Sequence, residues 1–227
     1  MGENETHTDL YLKAEIKLRY DLHVPQNPLT PKPLLIAVHG YGAHKRYMMR
    51  EAKLIVPKEF AIASVQGPYQ HFRQTQDGYR VGFGWLTDYE PEESVALHHR
   101  FLNDIIEIYV SDGTVDQSAI YLYGFSQACA LNFRYALTYP DRLKGLVGVS
   151  GGIPGDIEWN PIYKPFSARA LYLYGDADEF YPQETFAGFD LKLTELLPNY
   201  RSKQYHARHE ITDEMRADIR RFLQEME

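Results

Sequence analysis

The stretch Ala119–Tyr139, AIYLYGFSQACALNFRYALTY, changes its periodicity halfway along. Its first part is a short apolar run, the mark of a strand covered on both faces. Its last part repeats apolar residues at helical spacing and stops before Pro140. Between the two stands Gly124-Phe125-Ser126-Gln127-Ala128. A serine in a tight strand-to-helix turn is the arrangement of a nucleophile elbow. The turn holds the serine in a strained backbone conformation and requires small residues two before and two after it, so that strand and helix can approach closely. Gly124 and Ala128 meet that need. The competing role for Ser126 is a plain helix cap, but the strand before it and the helix after it favour a nucleophile.

Working outward from this turn, short apolar runs recur at 34–38, 60–65, 145–149 and 170–174. Helix-length patterns lie at about 44–55, 91–110, 126–139, 183–197 and 212–226, with a further strand at 200–206 before the last of them. Strand and helix taking turns predicts an α/β fold with a mostly parallel sheet and helices on both faces. Leu10, Leu12, Ala14, Ile16, Leu18, Tyr20 and Leu22 alternate with mostly polar neighbours, which predicts a half-buried first strand added antiparallel at the edge. Residues 1–9 are polar and predict a flexible start, with 10–227 forming a single domain. The stretch 66–84 reads as a long irregular loop, and loops of that length in a compact domain are usually functional, so it is a candidate wall of a site.

Composition narrows the function. The formal net charge is -7 and no cluster of Lys and Arg stands out beyond Lys45, Arg46 and Arg50, which argues against a nucleic-acid partner. No apolar run approaches the roughly 20 residues of a membrane helix, and the first thirty residues lack the pattern of a secretory signal. A cytoplasmic location without stable membrane insertion is the expectation. Cys129 is the sole cysteine, so no internal disulfide can form, and it reads as a small buried hydrophobe. A homodimer is compatible with the sequence.

A serine nucleophile needs a base and an acid, and on a sheet of this kind they follow it in the order Ser, Asp or Glu, His. After the strand at 170–174 comes Gly175-Asp176-Ala177-Asp178-Glu179-Phe180-Tyr181-Pro182, with three carboxylates in one turn. Asp178 is the preferred acid; Asp176 could cap the turn and Glu179 could be solvated. Tyr205-His206-Ala207-Arg208-His209 leads into the last helix, and His209, at the end of the loop, is the preferred base over His206. No third ligand cluster accompanies this histidine pair, so no metal is expected, nor is any other cofactor. His98 and His99 lie mid-helix as surface or packing residues. The loop His39-Gly40-Tyr41-Gly42 closes the strand at 34–38, and its Tyr41 amide, with the Gln127 amide at the helix start, could bind a developing oxyanion. His39 reads as a structural member of that loop. Phe83, Trp85, Phe180 and Tyr181 are the candidate substrate-binding aromatics.

Taken in order, HGYG (39–42), VQGP (65–68), FGWL (83–86), GFSQA (124–128), VSGGIP (149–154), GDADEFYP (175–182) and HEI (209–211) resemble the phospholipase/carboxylesterase group of α/β-hydrolases, which includes lysophospholipases and acyl-protein thioesterases. The resemblance spans about 34–226. It implies Ser126 as nucleophile, Asp178 as acid within G-x-x-D-x-x-x-P, His209 as base, the oxyanion amides at Tyr41 and Gln127, and an acyl pocket beside Trp85. The implied substrate is a small-molecule carboxylic ester of short or medium acyl chain, opened through an acyl-enzyme. A thioester, a lysophospholipid or an amide would use the same triad, and a non-catalytic ligand-binding protein is the reading from another class. Two positions depart from the family pattern: Ala128-Cys129 replaces a glycine pair, and GAHKRY lacks the aspartate that often follows HGxG.

Overall fold

The computed structural model describes residues 6–26 and 30–225. Among the described residues nine strands and five helices run in the order β1 (Tyr20–His23), β2 (Lys32–Val38), α1 (Lys45–Ile55), β3 (Ala61–Val65), β4 (Tyr69–Thr75), β5 (Gly78–Gly84), α2 (Pro91–Ser111), β6 (Val115–Phe125), α3 (Gln127–Thr138), β7 (Gly145–Val149), β8 (Arg169–Gly175), α4 (Gln183–Leu196), β9 (Tyr200–Tyr205) and α5 (Asp213–Gln224). Seven strands form one sheet in the order β1-β3-β2-β6-β7-β8-β9. Every pairing in it is parallel except β1 with β3.

Period-two alternation divides the buried side chains of this sheet between two cores. Leu34, Ile36 and Val38 of β2, with Ile120 and Leu122 of β6, face a layer that includes residues of α2, α3 and α4. Leu35 and Ala37, with Tyr121 and Tyr123, face Met48, Ala52 and Ile55 of α1 and Met215 and Ile219 of α5. Burial on both faces explains why these strands read as unbroken apolar runs. Local signals set the helix starts. Thr212 Oγ1 accepts from the Met215 amide and caps α5, while α2 opens on Pro91 followed by Glu92 and Glu93. No helix among the described residues is long and apolar enough to cross a membrane.

Two expectations are corrected. The predicted strand over 10–22 is reduced to β1, while Leu10, Leu12 and Ile16 are exposed. A strand extends about as far as its partner, and β3, only five residues long, pairs with β1 over Tyr20↔Val65 to His23↔Ile62. The stretch 66–84 is not irregular: most of it is the hairpin β4–β5, closed by the pair Thr75↔Gly78 around Gln76-Asp77. Two exposed strands with little apolar alternation escape a hydrophobic reading. The hairpin is fastened to the loop after β2 by Gly42 N–H donating to the Phe83 carbonyl and Phe83 N–H to the Ala43 carbonyl.

Candidate active site

Ser126 sits between β6 and α3 with φ 57° and ψ −124°, inside the left-handed range that disfavours any side chain. The strain is held from several sides. A Cβ on Gly124 would stand 2.5 Å from Asn132 Nδ2 and 3.2 Å from Ala128 Cβ, so strand and helix close only on a glycine. A Cβ on Gly40 would stand 2.8 Å from Ser126 Cβ, so the loop after β2 also lies directly against the serine.

The loops after β8 and β9 bring two more side chains to this turn. His209 Nε2 is 2.9 Å from Ser126 Oγ, and His209 Nδ1 is 2.8 Å from Asp178 Oδ2. The carboxylate can only accept, so Nδ1 carries the ring proton and Nε2 offers its lone pair to the serine hydroxyl. The Asp178 side chain is wholly buried, and its other oxygen accepts from the Phe180 and Tyr181 amides at 2.9 and 3.1 Å. The neighbouring carboxylates do other work. Asp176 pairs with the exposed His206 at 3.1 Å, away from the serine, while Glu179 accepts from the His209 backbone N–H at 3.1 Å and fixes that loop.

The Tyr41 and Gln127 amides donate to no protein acceptor among the described residues. For Gln127 this follows from its place as the first residue of α3, where a backbone N–H has no partner within the helix. Both loops are tied together by groups that the sequence reading did not single out for this task. Gln127 Oε1 accepts from Trp85 N–H at 3.0 Å and its Nε2 donates to the Leu86 carbonyl at 2.9 Å. Trp85 Nε1 in turn donates to the His39 carbonyl at 2.8 Å. His39 is fully buried; its Nε2 accepts from the Gly67 amide and its Nδ1 donates to the Gly40 carbonyl. Burial lowers its pKa to about 4, so the ring is neutral and serves as a brace.

A cavity of about 530 Å³ opens over Ser126, lined by Gly40, Tyr41, Leu86, Ala130, Gly152, Phe180, Tyr181 and His209 among others. Phe180 and Tyr181 thus stand where a substrate would contact them. Trp85 and Phe83, the other two candidates for substrate contact, do not line that cavity. Trp85 is buried behind the loop after β2 because its indole N–H is held by the His39 carbonyl. Phe83 lines a different hollow with His44 and Gln66. Cys129 is buried, its Sγ directed at the Gly124 and Val149 carbonyls, and burial pushes its pKa up to about 12. It is a packing residue. Among the described residues no group of three or more His, Cys, Asp or Glu is placed to hold a metal ion.

A mostly parallel sheet with helices on both faces, carrying a strained serine after a central strand and a histidine and an aspartate on later loops, defines an α/β-hydrolase. The profile of the Phospholipase/Carboxylesterase family matches residues 21–227, and the chain belongs to that family. The putative esterase NocK of Nocardia uniformis subsp. tsuyamanensis is 26% identical over 180 residues, which cover 72% of this chain and 46% of that protein. The chain therefore spans under half the length of that relative. Solved structures share the fold at low identity. The esterase PE8 superposes with a TM-score of 0.76 at 18% identity, covering 93% of this chain and 100% of that one. The Bacillus cereus carboxylesterase gives 0.72 at 17%, covering 92% and 95%, and Zea mays acyl-protein thioesterase 2 gives 0.66 at 16%, covering 92% and 98%.

Proposed function

We propose that this protein is a serine carboxylesterase that cleaves esters of small or medium acyl chains through an acyl-enzyme, with Ser126, His209 and Asp178 as its catalytic triad. The observation that carries the reading is the unbroken hydrogen-bond chain from Ser126 Oγ through both nitrogens of His209 to the buried Asp178 carboxylate. His209 Nε2 takes the hydroxyl proton as Ser126 Oγ bonds to the ester carbonyl carbon, and Asp178 steadies the imidazolium that results. The free Tyr41 and Gln127 amides receive the oxyanion, one such donor contributing about 3 kcal/mol. The proton on Nε2 then passes to the alkoxy oxygen as the carbonyl–oxygen bond breaks, and the alcohol departs. Water, deprotonated by the same nitrogen, adds to the acyl-enzyme, and His209 returns that proton to Ser126 Oγ as its bond to the acyl carbon breaks, releasing the acid.

The substrate is a small-molecule ester that fits the cavity above Ser126; the protein needs no cofactor for these steps and acts on neither nucleic acid nor an inserted membrane site. The test is hydrolysis of p-nitrophenyl butyrate combined with labelling by a fluorophosphonate. Ser126→Ala is expected to abolish turnover while leaving the fold intact, and the phosphonate to modify Ser126 alone. Turnover surviving in Ser126→Ala, or a label on another residue, refutes the assignment.

A further inference from the structure

β1 stands at one end of the seven-stranded sheet, so its outer edge has no strand beside it among the described residues. The chain leading into it is apolar and open to solvent. Leu12, Tyr11 and Leu10, at 96, 81 and 80%, are the most exposed large apolar side chains among the described residues. Residues 10–19 belong to no helix, turn or ladder, yet Leu10, Leu12, Ala14, Ile16 and Leu18 alternate with Tyr11 and four charged residues. That alternation is the pattern of a strand with one buried face. The later members of the series obey it: Leu18, Tyr20 and Leu22 pack against the core that α2 covers, with the Tyr20 ring edge-on to Phe101 and Tyr109. β3 ladders only with Tyr20–His23, so the earlier members have a strand-forming sequence and no strand beside them.

The charges between the apolar positions identify the missing strand. An edge that must stay unpaired carries charges, lysine above all, that repel a second chain. This segment is instead complementary to itself. Laid antiparallel against the same segment of a second copy, about a twofold axis at Ala14, residues equally far from Ala14 come face to face and share one side of the ribbon. Leu10 then meets Leu18 of the second copy, and Leu12 meets Ile16. On the opposite side Lys13 meets Glu15 and Tyr11 meets Lys17, each pair occurring twice by symmetry. Asp9, whose φ of 56° ends the extended run, comes beside Arg19 at each end. No like charges face each other in this register. Centring the pair on Lys13 or on Glu15 instead would set that residue against its own copy. Among the described residues Lys13, Glu15, Lys17 and Arg19 form no ion pair within their own chain, so their charges are available to a partner. A ladder over 10–18 supplies about nine backbone hydrogen bonds, close to the roughly ten of a specific interface.

We propose that the segment 10–18 is a dimerisation strand, along which two copies of this chain pair antiparallel about Ala14 and join their seven-stranded sheets edge to edge. The twofold closes the assembly, because each copy covers the free edge of the other. The pairing is independent of the chemistry at Ser126.

Sedimentation equilibrium on the whole chain tests it. The wild type is expected to form a species of twice the 26.3 kDa chain mass at concentrations up to about 100 μM. Lys13 and Glu15 are both exposed, so exchanging their charges leaves the core untouched. Lys13→Glu sets acid against acid in both symmetry-related pairs, and Glu15→Lys sets base against base; each should weaken the dimer at least about tenfold. Mixing the two variants restores opposite charges in both pairs, and the mixed dimer should return to within about threefold of the wild-type affinity. Amide hydrogen exchange locates the contact: protection over residues 10–18 should rise with concentration in the wild type and stay low in Lys13→Glu alone. A wild type that remains monomeric over this range overturns the proposal. So does a dimer indifferent to both single changes, a mixture no tighter than either variant alone, or protection that rises only outside 10–18.

Discussion

Replacing Asp178 by asparagine tests the catalytic assignment more sharply than removing the serine, because shape is kept while one proton is moved. The Asp178 side chain is wholly buried and accepts three hydrogen bonds, two on Oδ1 from the Phe180 and Tyr181 amides and one on Oδ2 from His209 Nδ1. Asparagine has one acceptor oxygen and one donor nitrogen. With its nitrogen toward the two amides, donors would face donors at 2.9 and 3.1 Å, so the oxygen takes that side. The nitrogen then faces His209 Nδ1, which must give up its proton to accept. The imidazole switches tautomer, Nε2 becomes a donor to Ser126 Oγ, and it can no longer take the hydroxyl proton. The expected loss in kcat is about 10³–10⁴-fold, or roughly 4–5.5 kcal/mol of barrier. The assay is steady-state hydrolysis of p-nitrophenyl butyrate, with the rate of fluorophosphonate labelling as a second measure of serine reactivity. Asp176→Asn is the control: it alters only the exposed pair with His206, so activity should stay within about twofold. The reasoning is refuted if Asp178→Asn keeps more than about a tenth of wild-type kcat, or if Asp176→Asn is the more damaging change.

Gly40→Ala introduces a Cβ 2.8 Å from Ser126 Cβ and 3.1 Å from the Phe125 carbonyl oxygen. A displacement of the serine or of the Tyr41 amide by a fraction of an ångström should lower kcat by about 10²-fold, with the thermal midpoint much less affected; unchanged kinetics would show that the loop is not held against the serine. Burial lowers the pKa values of His39 and His99 from 6.5 to about 4 and holds that of His98 well below its ordinary value, while in the unfolded chain all three regain that value. Between pH 6.5 and 4 the unfolded state therefore binds more protons, so stability is full above pH 6.5 and falls as pH drops through that window. The size is roughly 3 kcal/mol for each of His39 and His99. Urea unfolding at pH 7.0 and 4.5 measures it, and a midpoint unchanged between the two would contradict burial of these rings in a neutral form.

Much of this architecture is legible in the sequence because its signals are local. A strand buried on both faces is a short apolar run wherever it lies, and β2, β3, β6, β7 and β8 could be read on that ground. The three residues of the hydrogen-bonded chain were legible because Ser126 and Asp178 follow such runs and His209 ends the loop before the last helix, in the order Ser126, Asp178, His209. The extent of β1 was not legible, since β3, forty residues on, sets how far it can pair. Nor was the hairpin β4–β5, whose side chains are mostly exposed and whose anchor is a pair of backbone hydrogen bonds to residues 42 and 43. Trp85 shows the same limit. Its place in the sequence beside the site says nothing of which way the indole turns, and the turn is decided by the carbonyl of His39, 46 residues away.

The braces around the Tyr41 and Gln127 amides, the donors proposed for the oxyanion, are the least legible part, and on that proposal they have the most to do. Two donors stabilise a transition-state charge only if they already point at it, since reorienting them during the reaction would cancel the gain. Tyr41 and Gln127 come from loops 86 positions apart and share no direct hydrogen bond. What joins them is a relay: the Gln127 side chain grips Trp85 and Leu86, Trp85 grips the His39 carbonyl, and His39 grips Gly40 and Gly67. Each link is an ordinary neutral hydrogen bond, worth only about 1 kcal/mol in stability. On the proposed mechanism their catalytic weight is larger, because all of them constrain the same pair of amides. A serine, a histidine and an aspartate can be found by motif; the rigidity that would make them effective lies in a glutamine side chain, an indole and a neutral imidazole that hold the loops.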